Sequence, residues 1–199
     1  LRRTNTTQRP PRAPAAIQRL GHVVLQSSRY IEALNWYLDH LGLIVSDFLY
    51  YPGQRHRGPT MSFIRCDRGA TPSDHHTLAM ALGPANRYVH SAYQVSDLDA
   101  LAAGGEHLRE RGYVRSWGIG RHIQGSQLFD YWRDPDGFLV EHYADGDMFD
   151  NTLELLVLAG RSLRLMRYCA RYSSGPSIVP SKPGNSMSRS LSPLRSRIW

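Results

Sequence analysis

Residues 120–141 read GRHIQGSQLFDYWRDPDGFLVE, and this stretch ends on a glutamate inside an apolar run. Glu141 follows Val140 on a predicted strand, where a carboxylate is costly to bury unless a positive group meets it. An arginine in a buried salt bridge is one such partner, and a metal ion is another. The chain also contains 9 histidines, and those on neighbouring strands could complete a site with Glu141.

Hydrophobic periodicity predicts an α+β fold with two successive β-α-β-β-β modules, residues 20–84 and 88–145. The predicted strands are residues 20–25, 43–51, 61–66 and 76–82 in the first module, and residues 88–95, 113–117, 128–133 and 138–143 in the second. Two such modules can join into one curved mixed sheet around a shared cavity. Residues 20–150 are therefore expected to form one domain with a metal site between its modules.

Each module contains one predicted helix after its first strand. Ser27 or Ser28 is expected to cap the first helix, which Gly42 ends. Ser96 is expected to cap the second helix in a capping box, and Gly112 ends it.

His22 and His90 each lie near the start of the first strand of a module. Either histidine alone is more often a hydrogen-bonded core residue than a metal ligand. Together with Glu141, however, they form the set of two histidines and one carboxylate that holds non-haem Fe(II) with open positions. The same donor set also accepts Mn(II) or Zn(II).

The other histidines fall into two groups. Those expected on solvated surface are His40, His56 and His107, while His142 should point away from Glu141 on its strand. His75, His76 and His122 differ, because each lies where a loop enters a strand, and such edges are where sites are usually built.

The formal charge of +7 is unevenly distributed along the chain. Residues 1–19 contain 5 basic and no acidic residues, and residues 151–199 contain 8 basic and 1 acidic residue. Residues 20–150 therefore keep 11 basic and 16 acidic residues. Since the basic charge lies in the flanks, we expect no nucleic-acid partner. The Arg/Pro-rich residues 1–19 are typical of an extended linker, and the Ser/Arg/Pro-rich residues 151–199 of a disordered tail.

The 2 cysteines, Cys66 and Cys169, form no disulfide framework and favour a reducing cytoplasm. The longest apolar run, from Leu153 to Ala159, is short and interrupted by Glu154. We therefore expect no membrane association through a spanning helix.

Several short motifs together resemble one family, the type I extradiol ring-cleaving dioxygenases of the vicinal oxygen chelate superfamily. These enzymes include catechol 2,3-dioxygenases and biphenyl-2,3-diol 1,2-dioxygenases. The matching motifs are LGHVVL (20–25), DHHTLA (74–79), VHSAYQV (89–95) and GRH (120–122), followed by Tyr131 and Glu141. The resemblance covers roughly residues 8–150, and it rests on the joint spacing of these motifs.

The resemblance implies a role for each of six residues. It makes His22, His90 and Glu141 the ligands of Fe(II), with Mn(II) as the less favoured ion. It makes His76 the acid/base histidine that takes a proton from the catechol, with His75 structural. His122 and Tyr131 would hydrogen-bond substrate or oxygen-derived intermediates. The implied partners are a catechol-type substrate and O₂, in aromatic compound catabolism, and a homo-oligomeric assembly.

The chain departs from the common pattern at both ends. Common family members carry two more β-α-β-β-β modules before the metal-binding half, and residues 1–19 resemble the linker that follows those modules. Residues 155–199 do not resemble the family. Three alternatives to a dioxygenase therefore stay open: a metal-dependent lyase or isomerase like glyoxalase, a metal-free small-molecule-binding resistance protein, and an inactive remnant.

Overall fold

The computed structural model describes residue 10, residues 13–153 and residues 156–157 of the chain. Its elements, in chain order, are β1 (Arg19–Ser27), α1 (Tyr30–Leu41), β2 (Leu43–Leu49), a 3₁₀ turn (Arg55–Arg57), β3 (Met61–Cys66), β4 (Ser73–Asp74), β5 (Leu78–Leu82), β6 (Arg87–Gln94), α2 (Leu98–Glu110), β7 (Arg115–Arg121), β8 (Leu128–Arg133), β9 (Leu139–Ala144), β10 (Met148–Phe149) and β11 (Leu156–Val157).

Nine strands form one mixed sheet in the order β11-β2-β3-β5-β1-β6-β9-β8-β7, and β4 pairs with β10 in a second, two-stranded sheet. The antiparallel pair β1–β6 joins the two halves of the large sheet. In the first half, β5 pairs parallel with β1, and β3 and then β2 add antiparallel. In the second half, β9 pairs parallel with β6, and β8 and then β7 add antiparallel. The predicted fold class, two β-α-β-β-β modules in one mixed sheet, is confirmed.

Alternation along β1 assigns its side chains to two environments, as the sequence predicts. His22 and Val24 are buried on the face that carries the candidate site. Val23 and Leu25 are partly buried on the other face, in the cluster that contains residues of α1. This alternation fixes which histidine can face the interior, because a shift of one residue would reverse both sets.

Each helix packs against the sheet of its own half. Tyr30 and Leu34 of α1 are buried with side chains of β3 and β5, and burial of a side chain such as Leu34 contributes about 1.5–3 kcal/mol. In the second half, Leu101 of α2 is buried with Val95 and Ala144. The two helices therefore cover the outer face of the sheet and leave the inner face to the site.

The predicted helix ends are right at Gly42 but wrong at both N-termini. Gly42 ends α1 in the left-handed conformation, with φ 63°. Ser27 Oγ instead accepts from the backbone N–H of Arg29, which precedes α1 and provides no side-chain cap. Asp97, not Ser96, caps α2, because its carboxylate accepts from the backbone N–H of Ala100 at 2.8 Å.

Some predictions fall at the ends of the chain. The predicted bounds of the two modules, residues 20–84 and 88–145, stay predictions. The helices and strands of the structure follow the predicted order along the chain. The linker assigned to residues 1–19 lies partly outside the described residues, and so does most of the tail assigned to residues 151–199. Within the described residues, neither helix has the length and apolar character needed to cross a bilayer.

Candidate metal centre and surrounding side chains

His22 and His90 occupy equivalent positions in the two halves of the sheet, since each is the fourth residue of its strand, β1 or β6. The register then brings Glu141 beside them. In one row across the sheet, His22 pairs with Ala92 of β6, and Ala92 pairs with Glu141 of β9. Because Ala92 contributes only a methyl group between them, the side chains of His22 and Glu141 can converge on the inner face.

The candidate triad, defined as His22, His90 and Glu141, is compact. Glu141 Oε2 lies 3.2 Å from His22 Nε2 and 3.1 Å from His90 Nε2, and the two Nε2 atoms are 3.4 Å apart. All three side chains are buried. Three ligands bound at about 2.1 Å to one cation, at angles of roughly 90–110°, would be separated by about 3.0–3.4 Å. The donor set and its spacing therefore fit one divalent transition-metal ion.

Burial and charge act in opposite directions on Glu141. Burial alone raises the pKa of its carboxyl, but the neighbouring side chains of His122, His22 and His90 outweigh burial and hold that pKa well below its ordinary value. Burial lowers the pKa of His90, and the charge of Glu141 only partly offsets this. A neutral imidazole beside a carboxylate is the form in which these side chains bind metal.

One oxygen of Glu141 has no hydrogen-bond partner among the described residues. That oxygen, Oε1, is buried and lies 3.8 Å from His122 Nε2, which exceeds hydrogen-bond length. A buried carboxylate with an unused acceptor is costly, so this atom is a further sign that the site is built for a cation.

Only one half of the sheet contributes a carboxylate to the centre. Val24 of β1 occupies the position equivalent to Ala92, and its parallel partner is Ala79 of β5. Ala79 is therefore the counterpart of Glu141, and it bears a methyl group. The modular symmetry consequently supplies two histidines but one acidic ligand, which is the composition of a single mononuclear centre.

The structure brings the other three predicted site residues to the same cavity. His76 is buried, and its ring centroid lies 4.1 Å from that of His22. His122 Nε2 lies 3.0 Å from the hydroxyl of Tyr131. The Tyr131 ring meets that of His90 edge-on at 5.1 Å. His76 differs from its prediction in one respect, because it precedes β5 instead of lying within that strand.

The cavity beside the candidate triad has two chemically different walls. Its apolar wall comes from the first half of the sheet and consists of Val24, Met61 and Phe63. The polar wall includes two amide side chains, Gln124 and Gln127, and both are buried. The volume of the cavity is about 30 Å³, enough for ordered water.

Sequence reasoning missed three side chains around this site. Gln124 and Gln127 belong to a segment with no periodic pattern, so nothing in the sequence marks them as buried. Asp47 does carry a signal, since it is a carboxylate inside the apolar run of β2, the same feature that marks Glu141. It bonds to His75 and not to the metal position.

Gly21 is required by the packing behind His22. A Cβ at this position would overlap the ring and hydroxyl of Tyr143, which is buried and lies against the His22 ring at 5.3 Å. We expect Gly21→Ala to lower the free energy of unfolding by about 1–3 kcal/mol, the usual cost of overpacking a core. Chemical denaturation measures this loss. In a Tyr143→Ala background, Gly21→Ala should lower the free energy of unfolding much less. An equal loss in both backgrounds would contradict the proposed clash.

Comparison with known proteins agrees with this fold. The family described as "Glyoxalase/Bleomycin resistance protein/Dioxygenase superfamily" matches residues 19–142. Metapyrocatechase 2 of Cupriavidus necator is 35% identical over 130 residues, which are 65% of this chain and 37% of that protein. An iron-dependent extradiol dioxygenase of Rhodococcus jostii (strain RHA1) is 28% identical over 136 residues, covering 65% of this chain and 44% of that protein.

Among solved structures, the Mn(II)-bound glyoxalase from Novosphingobium aromaticivorans is similar, with a TM-score of 0.63 and 28% identity over 74% of this chain and 45% of that one. The chain spans less than half the length of the curated relatives described above. The predicted resemblance to extradiol dioxygenases is confirmed by these similarities. By its family match and its sheet of paired modules, the chain belongs to the glyoxalase/bleomycin resistance protein/dioxygenase superfamily.

Proposed function

We propose that this chain holds Fe(II) and takes part in extradiol cleavage, in which O₂ opens the ring of a catechol next to the diol during aromatic compound catabolism. The observation that carries the proposal is the candidate triad on one face of the sheet, with His76, His122 and Tyr131 around the same cavity. A metal site alone fits many reactions. Three further proton-carrying groups beside it fit the chemistry of a diol.

The candidate triad would hold the ion through two imidazoles and one carboxylate. When bound, Fe(II) would supply neighbouring positions for both diol oxygens and O₂, and a route for electrons between them. Neutral His22 and His90 leave Glu141 as the only negative ligand, so the site retains net positive charge. That charge favours a catechol that has lost a proton.

His76 is the residue placed to take that proton. Its ring lines the cavity, and it lies against His22 without belonging to the candidate triad. Burial lowers the pKa of His76 well below its ordinary value, and the neighbouring His22 and His75 add to this effect. His76 is therefore neutral before substrate binds, and a neutral imidazole can accept a proton from a diol hydroxyl.

The pair His122–Tyr131 would orient the reacting groups. Their 3.0 Å contact leaves each side chain fixed by the other, and the Tyr131 ring also contacts His90. Both side chains line the cavity. When His122 Nε2–H donates to Tyr131, the tyrosine hydroxyl can donate its own hydrogen to an oxygen atom of the substrate. The apolar wall formed by Met61 and Phe63 would contact the face of an aromatic ring.

A second candidate is a metal-dependent lyase or isomerase reaction of the glyoxalase type. The similarity to the Mn(II)-bound glyoxalase favours it, because that protein is 28% identical to this chain and shares its fold. Such a reaction needs a metal and a base but has no use for O₂. Oxygen consumption therefore separates the two candidates.

The first test is anaerobic reconstitution with Fe(II) or Mn(II), followed by catechol or a 3-substituted catechol in air. We expect the Fe(II)-loaded protein to consume O₂ and to form a yellow ring-fission product, which visible absorption follows directly. Mn(II) loading is the parallel arm that decides between the two ions.

Three outcomes are distinguishable in this experiment. A yellow product with equal consumption of O₂ supports extradiol cleavage. Bound metal without O₂ consumption, together with turnover of a glutathione hemithioacetal, would replace the proposal by the glyoxalase-type reaction. Failure to retain any divalent metal would overturn both candidates and favour an inactive remnant.

A further inference from the structure

A buried chain of hydrogen bonds leads from Asp47 to His76. Asp47 Oδ2 lies 2.7 Å from His75 Nε2, and His75 Nδ1 lies 2.9 Å from His76 Nδ1. All three side chains are buried, and His75 is completely inaccessible. Within residues 13–153, no other hydrogen-bond partner of the Asp47 carboxylate is found, and its Oδ1 atom is unpaired. The carboxylate is therefore dedicated to His75.

The order of these contacts indicates which ring nitrogens of His75 and His76 carry a proton. A carboxylate only accepts hydrogen bonds, so His75 Nε2 must carry a proton. If His75 is neutral, its Nδ1 has a lone pair, and the 2.9 Å contact requires His76 Nδ1 to donate. His76 Nε2 is then the unprotonated nitrogen. Of the two tautomers open to a neutral His76, only this one leaves Nε2 able to accept a proton.

A second charged group lies beside the Asp47–His75 pair. Asp47 already interacts electrostatically with Arg65, and Arg65 is held through hydrogen bonds to Ser46 Oγ at 2.8 Å and to the carbonyl of Asp150 at 2.9 Å. A protonated His75 would add a second positive charge to this buried cluster. It would also direct an Nδ1–H at His76 Nδ1, and His76 would then have to reverse its tautomer.

The packing prevents His75 from leaving this position. Its carbonyl accepts from Ser46 Oγ at 2.6 Å, and its N–H donates to the carbonyl of Asp147 at 2.9 Å. Gly125 lies directly on the ring: a Cβ there would come within 2.7 Å of Nδ1. The ring is also in contact with Phe149 at 5.5 Å between centroids. Since neither backbone nor ring can move freely, the contact with His76 persists.

We propose that Asp47 and His75 are positioning residues that lock His76 in the tautomer protonated on Nδ1, with Nε2 free to accept a proton. No hydrogen bond to His76 Nε2 occurs among the described residues, and the ring lines the cavity. The use of this proton acceptor on a catechol rests on the proposed function. The tautomer itself does not, because it follows from the buried contacts and a neutral His75.

The decisive measurement is the ¹⁵N spectrum of histidine side chains in the full chain, loaded with diamagnetic Zn(II). Long-range ¹H–¹⁵N correlations distinguish a protonated ring nitrogen from an unprotonated one, and loss of signals in His76→Gln assigns the residue. We expect His76 to be protonated on Nδ1 only and His75 on Nε2 only. A His76 protonated on Nε2, or on both nitrogens, would overturn the proposal without any further variant.

Two variants then test whether Asp47 and His75 determine the tautomer of His76. Asp47→Leu removes the acceptor, and His75→Phe removes the partner of His76 Nδ1, so both should leave His76 as a mixture of tautomers. Trp132→Phe is the control: it removes a buried hydrogen bond, from the indole N–H to Asp130, that involves neither Asp47 nor the two histidines. If His76 keeps a single tautomer in both Asp47→Leu and His75→Phe, these two residues do not determine its tautomer.

Turnover by the Asp47→Leu variant distinguishes a positioning role of Asp47 from a role in folding. In a carboxylate–histidine pair, loss of the correct tautomer lowers turnover by up to ~10⁴-fold; here we expect kcat to fall by roughly 10–10³-fold in Asp47→Leu, with KM and metal content within about twofold. A fall in metal content in step with kcat would indicate structural damage and contradict a positioning role. If the parent chain cleaves no catechol, the spectrum still decides the tautomer, so the two proposals fail separately.

Discussion

Glu141→Gln is expected to abolish retention of the metal ion and with it all ring cleavage. The amide keeps the shape of the glutamate but removes the only negative charge in the candidate triad, and its nitrogen is no ligand. Two neutral imidazoles, His22 and His90, would remain, and they hold a divalent ion far more weakly than the complete triad.

The clearest readout is stability with and without metal, because it needs no substrate. An ion present at about 100 times its Kd stabilises the folded state by roughly 2.7 kcal/mol. Anaerobic Fe(II), or Mn(II) as a substitute, should therefore raise the Tm of the parent chain. In Glu141→Gln the Tm should not respond to metal. An undiminished metal response would show that the ion binds elsewhere, and the assignment of the triad would fall.

Asp130→Asn is a matched control for loss of a buried carboxylate. Asp130 is as buried as Glu141 and lies on the neighbouring strand β8. Its carboxylate pairs with Arg115 at 3.0 Å and accepts from the indole of Trp132 at 2.7 Å, away from the site. Asp130→Asn should lower the Tm of the metal-free protein but leave the metal-induced increase intact. The pair of variants thus separates loss of a ligand from loss of a buried charge.

Most of the site could be predicted because strand alternation and module order determine it. His22 and His90 share one position in two equivalent strands, and Glu141 is marked by its apolar neighbours. The hydrophobic pattern that identifies a strand also sets its register in the sheet, and therefore which side chains face the site. The residues of the candidate triad were therefore predictable from single positions, without knowledge of long-range contacts.

The contact between Asp47 and His75 could not be predicted. The two residues are 28 positions apart on different elements, and no local pattern determines which buried carboxylate meets which histidine. His75 was expected to be structural, and its burial agrees with that role. What the sequence does not contain is the direction of its ring nitrogens, which depends on packing against Gly125 and Phe149.

The predicted end of β7 was also wrong, for a reason that lies in tertiary packing. The prediction ended this strand at Trp117. Gly118 and Gly120 follow, and glycine weakens the interior of a strand. The strand instead continues to Arg121. A Cβ at Gly118 would lie 2.7 Å from Asp130 Oδ1, and one at Gly120 would overlap the ring of Phe129. These glycines are required by close approach to β8, which no single-strand pattern reveals.

His76→Ala is expected to keep the metal and to lower kcat by about 10²–10⁴-fold, the usual contribution of a general acid/base group. His76 is no member of the candidate triad, and its Nδ1 is already occupied by His75. Removal of the ring therefore takes away a proton acceptor and leaves all three ligands in place. Metal content and the metal-induced rise in Tm should equal those of the parent chain.

The nature of the substrate then tests whether the lost function is proton transfer. A catechol with an electron-withdrawing nitro group gives up its proton more readily, so its cleavage depends less on a base. We expect the fold loss in His76→Ala to be much smaller for this substrate than for catechol itself. His40→Ala serves as the control histidine, since His40 is exposed at the end of α1 and hydrogen-bonds to the carbonyl of Trp36. An equal loss with both catechols would assign His76 a role other than proton acceptance, because a base is needed only while the diol still holds its proton.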